Sequence, residues 1–556
     1  MPAPARHVTA ETLIAAFVAA SAAVMAAGYV MDAAGLVMHP AILGGLAVAV
    51  AAGALVTFRE RSALPPGSVA LPLLLIASAA GYLFWLASPS LLPVTDGPDV
   101  VHHLQLIHLI QRTHRLAHDP ALVPYLLEMT SYTPGSHLVA ASVGDWLRVD
   151  ALRVLLPVTA IFVAVKAALV YVLALRALPA DRASALQALA APVLLLVPAA
   201  YTIGSFFQFF FYAQVVSETF ALAMVAAAVM WARAGEARWL WLAGASGVGV
   251  VLSWPVWIVP AATAAIAAVL SFAAPLRARV TAVAVACVPA AAFAALHALT
   301  HAAGVAIVGS AGAVTRPSTV TLGLAFIVLG VVGAIVSWRV PAARAVGVLL
   351  GVTLAQALAI AALDVVRAPA HGSHSFYLPF KMVYLAVLPC AVLGALALAR
   401  ASDALTSRVP AMRLAGAAIP LLLAALLAAG RFPAKRQPGP MTLPSLAAGE
   451  WARDHLRREC VDYFSRHWLT GYWLHLDVLG NPRVSDRMRV ETFDFPDVVG
   501  KWIEGKGLPY AIVENLDTVP RDARADMLPL QSFPPAAVVK NVKAGSDPNF
   551  PLCAGK

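Results

Sequence analysis

Long apolar stretches alternate with short polar ones along most of the chain. Runs of roughly 17–25 apolar residues can each cross a bilayer as a helix. They fall at 11–30, 40–58, 69–88, 152–175, 186–203, 215–232, 238–253, 256–273, 279–300, 319–338, 345–363, 379–399 and 412–430, which makes 13 segments. Within 238–273 two readings stay open, because Trp254-Pro255 marks either a tight turn between short helices or a kink. The pattern changes after the Pro-rich linker Arg431 to Pro444. Ser445 is placed to cap a helix reaching about Glu459. A helix near Asp497–Gly505 and strands at Tyr510–Glu514 and Ala536–Lys540 follow. The expected fold is a polytopic α-helical membrane protein of about 13 transmembrane helices over 1–430, with a small α/β domain over 431–556. The largest polar interruption of the first part is the loop 89–153.

Composition sharpens this picture. Of 556 residues, 60% are hydrophobic and 12% charged, about half the charge of an ordinary soluble domain. So few charges exclude a soluble globule, and the hydrophobicity excludes disorder. The charges are unevenly spread. Residues 1–430 hold 22 Lys/Arg and 14 Asp/Glu, while the 126 residues 431–556 hold 17 and 15. The second part therefore has the charge density of a soluble domain. The net charge of +10 does not point to nucleic acid, because most of the excess sits in short loops between apolar segments. With the N-terminus in the cytoplasm, Arg59, Arg61, Arg176, Arg233, Arg238, Arg339, Arg344 and Arg400 all fall on the inner face. The opposite short loops keep mainly Arg316 and Arg367. An odd number of spans then places the C-terminal domain outside. The first apolar run, Glu11 to Val30, reads as a span and not a cleavable signal.

Chemistry is expected in the external pieces. In the loop 89–153, Asp96 is placed to cap a helix with Pro98 in its first turn. Asp99 and His103 are four residues apart on one face of that helix, with His102 beside them. The plain alternative is an interfacial helix whose polar face is merely solvated. His102, His103, His108, His114 and His118 also raise a zinc reading, though without a compact ligand set of known type. Further along, Ser131-Tyr132-Thr133-Pro134-Gly135-Ser136-His137 makes a tight turn into a new apolar segment.

An acidic residue and a histidine in the first external loop, followed by a Tyr/Pro/Gly/His turn, resemble the C-type superfamily of integral-membrane glycosyltransferases. The pattern is most similar to actinobacterial-type, arabinofuranosyltransferase-like members. Asp99, His103 and Leu104 match an Asp-x-x-x-His-Leu pattern, and Tyr132 to His137 match the turn, with Thr133 separating Tyr132 from Pro134. The resemblance implies a bacterial plasma-membrane enzyme. It would move a sugar, with inversion, from a polyprenyl-phosphate donor to an envelope glycan or lipid acceptor on the outer face. Asp99 would be the general base, with Asp96 second as acceptor-orienting or metal-binding group. His103 would join them at the reacting centre, and His102, Tyr132 and His137 would bind substrate. Whether a divalent metal takes part is open, as are the sugar and the acceptor.

The departing lipid phosphate needs cations or hydrogen-bond donors. Arg367, His374, Tyr377 and Lys381 are the expected cradle, with Lys381 snorkelling toward head groups from one turn inside a span. The alternative is ordinary interfacial anchoring. Mid-span Lys166 is costly and expected to face the bundle interior, and Glu218 is placed to face the same cavity. The aromatic run Phe206 to Tyr212 is either an interfacial belt or a guide for prenyl chain or sugar. Trp468 to Leu476, with His475 and Arg483, is a weaker carbohydrate-binding candidate. Cys460 and Cys553 are either a disulfide or two thiols. A transporter of a lipid-linked precursor and a non-catalytic envelope-assembly protein are the competing functions. No internal repeat supports the transporter.

Overall fold

The computed structural model describes residues 7–59, 70–95, 98–118, 126–179, 181–300, 312–371, 376–406, 416–437, 439–456, 461–465, 495–506 and 508–544. Its main helices are α1 (Ala10–Ala33), α2 (Pro40–Thr57), α3 (Ala70–Ala87), α4 (Pro98–Thr113), α5 (Gly135–Leu147), α6 (Ala151–Ala177), α7 (Tyr212–Ala234), α8 (Ala237–Ser253), α9 (Ile258–Leu270), α10 (Leu276–Thr300), α11 (Leu324–Ser337), α12 (Pro341–His371), α13 (Tyr377–Thr406), α14 (Ala418–Ala428), α15 (Leu443–His455) and α16 (Phe495–Ile503). Among the described residues, eight helices are long and apolar enough to cross a membrane: α1, α2, α3, α6, α7, α10, α12 and α13. The helix pair Ala183–Leu194 and Ala199–Phe207, bent by 74°, would make a ninth if it is one broken span. Each of the 13 apolar segments thus contains helix, but several of the helices are short or broken. Val48, Ile335, Leu358, Leu422 and Leu426 are 66–72% exposed. Helices that present such side chains outward are stable in lipid, where this surface needs no cover.

The chain divides into two compact units. The first comprises Met1–Phe84, Thr133–Val139 and Thr159–Lys435. At its centre are α7 and α13, whose apolar stretches are 94% buried, as expected of helices hydrophobic on all sides. α11 meets α13 closely. A methyl group on Gly333 would overlap the backbone of Leu393, and one on Gly330 would overlap Cys390. Small residues let two helix backbones approach in this way.

The open question at Trp254-Pro255 resolves as a turn. α8 has 17 residues, about 25 Å of helix. Trp231, just before α8, packs edge-on against Phe272, just after α9, with centroids 5.0 Å apart. α9 therefore reverses direction after α8 and returns along α7. Pro255 enforces the reversal, because its ring keeps Trp254 extended (φ −147°, ψ 91°).

The second unit comprises Trp85–Tyr132, Ala140–Val158 and Arg436–Lys556. Arg453 lies 3.7 Å from Asp150, and Arg153 pairs with Glu450. The Leu86 carbonyl accepts from the Gln437 amide at 2.8 Å. These contacts tie both ends of the long loop to the chain around α15. The sheet has the order β1 (Val461–Phe464), β2 (Tyr510–Val513), β4 (Ala536–Asn541), β3 (Met527–Phe533). β1 and β2 are parallel, and the other pairs antiparallel. Its core gathers Phe464, Trp502, Val513 and Val539.

Two expectations shift here. The cap of α15 is Thr442 and not Ser445: the Thr442 hydroxyl accepts from the Ser445 amide at 3.2 Å. Pro444 lacks an amide hydrogen and fits the first turn, so the helix starts before it. Strands β1 and β3 were not expected. β1 is only four residues long. β3 is an exposed edge strand with Pro529 and a register shift, so it carries no alternating pattern to read. Cys460, Cys553, His475, Arg483 and the stretch Trp468 to Leu476 lie outside the described residues.

Candidate functional site

In the second unit the helix expected after Asp96 is present. α4 opens at Pro98 with Asp99 in its first turn. Val100, Leu104 and Ile107 are at most 1% exposed, so the apolar stripe is the buried face. The helix stops at His114, whose φ of 48° leaves the helical region. Asp96 lies outside the described residues. Asp99 is partly exposed. His103 is buried and meets the Tyr132 ring edge-on at 6.1 Å. The predicted helix face and turn thus meet through these two residues. His102 Nδ1 lies 2.8 Å from Glu128 Oε1. Burial pushes the Glu128 carboxyl up, but its hydrogen bond with His102 outweighs this and holds it below the ordinary value. Glu128 was not singled out from sequence. Its only signal is an acid within the otherwise apolar run Leu126 to Met129. His114 faces Asp145 at 3.7 Å. Among the described residues, no three His, Cys, Asp or Glu side chains converge to hold a metal ion. The five-histidine reading therefore gains no ligand set there.

The turn residues Thr133 to His137 belong to the first unit. The Thr133 hydroxyl donates to the Ser253 carbonyl at 2.7 Å. The residue that separates Tyr132 from Pro134 is thus the one that anchors the turn. A side chain on Gly135 would collide with Leu252, which explains glycine there. The Tyr212 hydroxyl donates to the Ser136 carbonyl at 2.6 Å, and the Tyr212 ring stands edge-on to His137. His137 is fully buried, which pushes its imidazole down to about 3. It is therefore neutral at physiological pH. A histidine with a lowered folded value stabilises the fold above its ordinary value near 6.5 and loses that contribution as pH falls toward 3. Thermal unfolding of the detergent-solubilised protein should show a midpoint that drops across this window, with a shallower drop in His137→Gln.

Lys381 departs from expectation in an informative way. It does not snorkel outward but is 4% exposed. Its ammonium lies 3.8 Å from the Phe211 ring centroid, 4.5 Å from Tyr377 and 5.0 Å from Trp254. Three rings around one cation replace part of its lost hydration. The box draws on three elements: Phe211 precedes α7, Trp254 ends α8, and Tyr377 opens α13. The Ser217 hydroxyl fixes the Trp254 backbone by donating to its carbonyl at 3.0 Å. Tyr384, one turn on from Lys381, packs against Phe211 and Tyr201 at 5.5 and 4.8 Å. Its hydroxyl accepts from the Thr315 amide at 3.2 Å. The aromatic run therefore lines the interior: Phe206 and Phe210 are fully buried. From the sequence, Trp254 marks only a turn or a kink, and its place in the box comes from the fold. Of the other cradle candidates, His374 and the side chain of Arg367 lie outside the described residues.

No protein-family model matches the sequence, and no curated protein does. Three solved structures superpose in part. The Archaeoglobus fulgidus oligosaccharyltransferase in complex with Zn and sulfate is 16% identical with a TM-score of 0.44, covering 80% of this chain and 68% of that one. The same enzyme tethered to an acceptor peptide gives 14%, 0.45, 86% and 74%. ArnT from Cupriavidus metallidurans bound to undecaprenyl phosphate gives 14%, 0.44, 85% and 99%.

Deeper in the first unit, Lys166 and Glu218 find each other. Lys166 Nζ lies 2.5 Å from Glu218 Oε2, and both side chains are at most 4% exposed. Gln214 donates to the other carboxylate oxygen at 3.2 Å. The charges expected to face one cavity thus form a closed, hydrogen-bonded pair.

Proposed function

We propose that the chain is an integral-membrane glycosyltransferase that moves a sugar from a polyprenyl-phosphate donor to an envelope glycan or lipid acceptor on the outer face. The observation that carries this reading is Lys381, a buried cation held by three rings at the start of an apolar helix. A fixed ammonium in such surroundings suits the phosphate of a lipid carrier, because its attraction is little weakened by water. Arg367, His374 and Tyr377 are proposed to share that role.

A second role falls to α4. Asp99 takes the proton of the acceptor hydroxyl as the oxygen attacks the anomeric carbon. The carbon–oxygen bond to phosphate breaks, its electron pair leaves with the phosphate, and the configuration inverts. His103 and Asp96 assist at the reacting centre, and His102, Tyr132 and His137 serve the substrate or its surroundings. A transporter would need charges open to a substrate path, whereas Lys166 and Glu218 satisfy one another.

The test uses purified protein in lipid nanodiscs and polyprenyl phosphates carrying labelled arabinofuranose, mannose or galactose. One of these should transfer label covalently to envelope glycan. Lys381→Met should raise the KM for that donor at least about tenfold. In liposomes, lipid flux without covalent product from any donor would overturn the reading in favour of transport.

A further inference from the structure

His102 and Glu128 form a carboxylate–imidazole dyad whose chemistry is fixed by its hydrogen bond. Glu128, held ionised, is an acceptor only, so the ring nitrogen facing it at 2.8 Å, Nδ1, carries the proton. In the neutral ring the lone pair is then on Nε2. That nitrogen is buried and has no hydrogen-bond partner among the described residues. A buried acceptor left without a donor is costly, so Nε2 is poised to take a proton when one is brought to it. The side chain of His102 is 12% exposed and that of Glu128 is 55% exposed. One end of the dyad faces inward and the other faces water.

Asp99 lies three residues before His102 on α4. That spacing puts the two on one helix face with Cβ atoms ~5–6 Å apart. We propose that the Glu128–His102 dyad is the proton relay of this site, an inference that rests on the glycosyltransferase reading. The acceptor hydroxyl oxygen forms its bond to the anomeric carbon, and the bond from that carbon to the phosphate oxygen breaks. The hydroxyl proton passes to the Asp99 carboxylate and from there to His102 Nε2. Glu128 stabilises the resulting imidazolium and keeps the proton on Nδ1, and once the product has left, the Nε2 proton passes back through Asp99 to water, which restores the Nε2 lone pair. Glu128 is thus a positioning residue acting through His102, and the pair lets Asp99 return ionised for the next turnover.

His102→Gly should lower kcat about tenfold or more at unchanged donor KM, and added imidazole should restore most of the loss by occupying the vacated space. Glu128→Gln should lower kcat in the same direction without loss of folding, since the substitution keeps the side chain's size and more than half of it is exposed. Wild-type activity in His102→Gly would overturn the proposal. So would a folded but inactive His102→Gly that imidazole does not rescue, which would mark a structural role. A readout independent of transfer comes from 15N NMR of histidine-labelled protein, with His102→Gln assigning the signal. It should find the His102 proton on Nδ1 in the wild type and not fixed there in Glu128→Gln. A proton on Nε2 in the wild type would overturn the dyad even if transfer is seen. Absence of transfer in the wild type, with the Nδ1 proton intact, would instead count against the glycosyltransferase reading.

Discussion

Asp99→Asn is expected to lower kcat for sugar transfer by about 10²–10⁴-fold, the usual effect of removing a general base. The substitution keeps the size of the side chain and removes only its ability to take a proton. Asp99 lies in the first turn of α4, partly exposed. Its loss should therefore leave stability nearly unchanged, and donor KM within about a factor of two. The control is His114→Ala. His114 lies just beyond the far end of the same helix, beside Asp145, and its replacement should leave transfer close to wild type. Full activity in both Asp99→Asn and Asp96→Asn would remove the carboxylates from the mechanism.

Glu218→Ala should be the most damaging substitution for the fold. It strands the Lys166 ammonium, 3% exposed, between α6 and α7 without a counter-charge. Breaking a buried pair from one side costs about 3–5 kcal/mol. Removing both charges is different, because the cost of burying them disappears together with their attraction. Lys166→Met combined with Glu218→Leu should therefore sit near the wild type or above it, by up to about 4 kcal/mol. Thermal unfolding in detergent of Lys166→Met, Glu218→Leu and the double variant measures this coupling. A loss in the double variant equal to the sum of the two single losses would show that the two residues do not act as a pair. Near-normal transfer by a stable double variant would place the pair in the architecture and outside the chemistry.

Much of this molecule was legible in the residue pattern. Scarce charge and long apolar runs gave the helical segments. The cap-and-stripe pattern after Asp96 gave α4, and the residue patterns at Tyr510–Glu514 and Ala536–Lys540 gave β2 and β4. What stayed illegible had physical causes. β3 is an exposed edge strand interrupted by Pro529, so no alternation marks it. The reversal at Trp254-Pro255 depends on where α9 packs, and Trp231 against Phe272 decides that.

The functional side chains divide in the same way. The sequence by itself determined that Asp99, His102 and His103 share a short helix, because i, i+3 and i+4 spacing is a local property. It also determined that Lys166 and Lys381 are cations inside apolar helices. Only the tertiary structure decided what they face. A helix that is apolar on every side gives no amphipathic clue to its rotation, so the partner of an embedded charge is set by packing between helices far apart in the chain. That packing closes Lys166 onto Glu218, boxes Lys381 with Phe211 and Trp254, and sets Glu128 against His102.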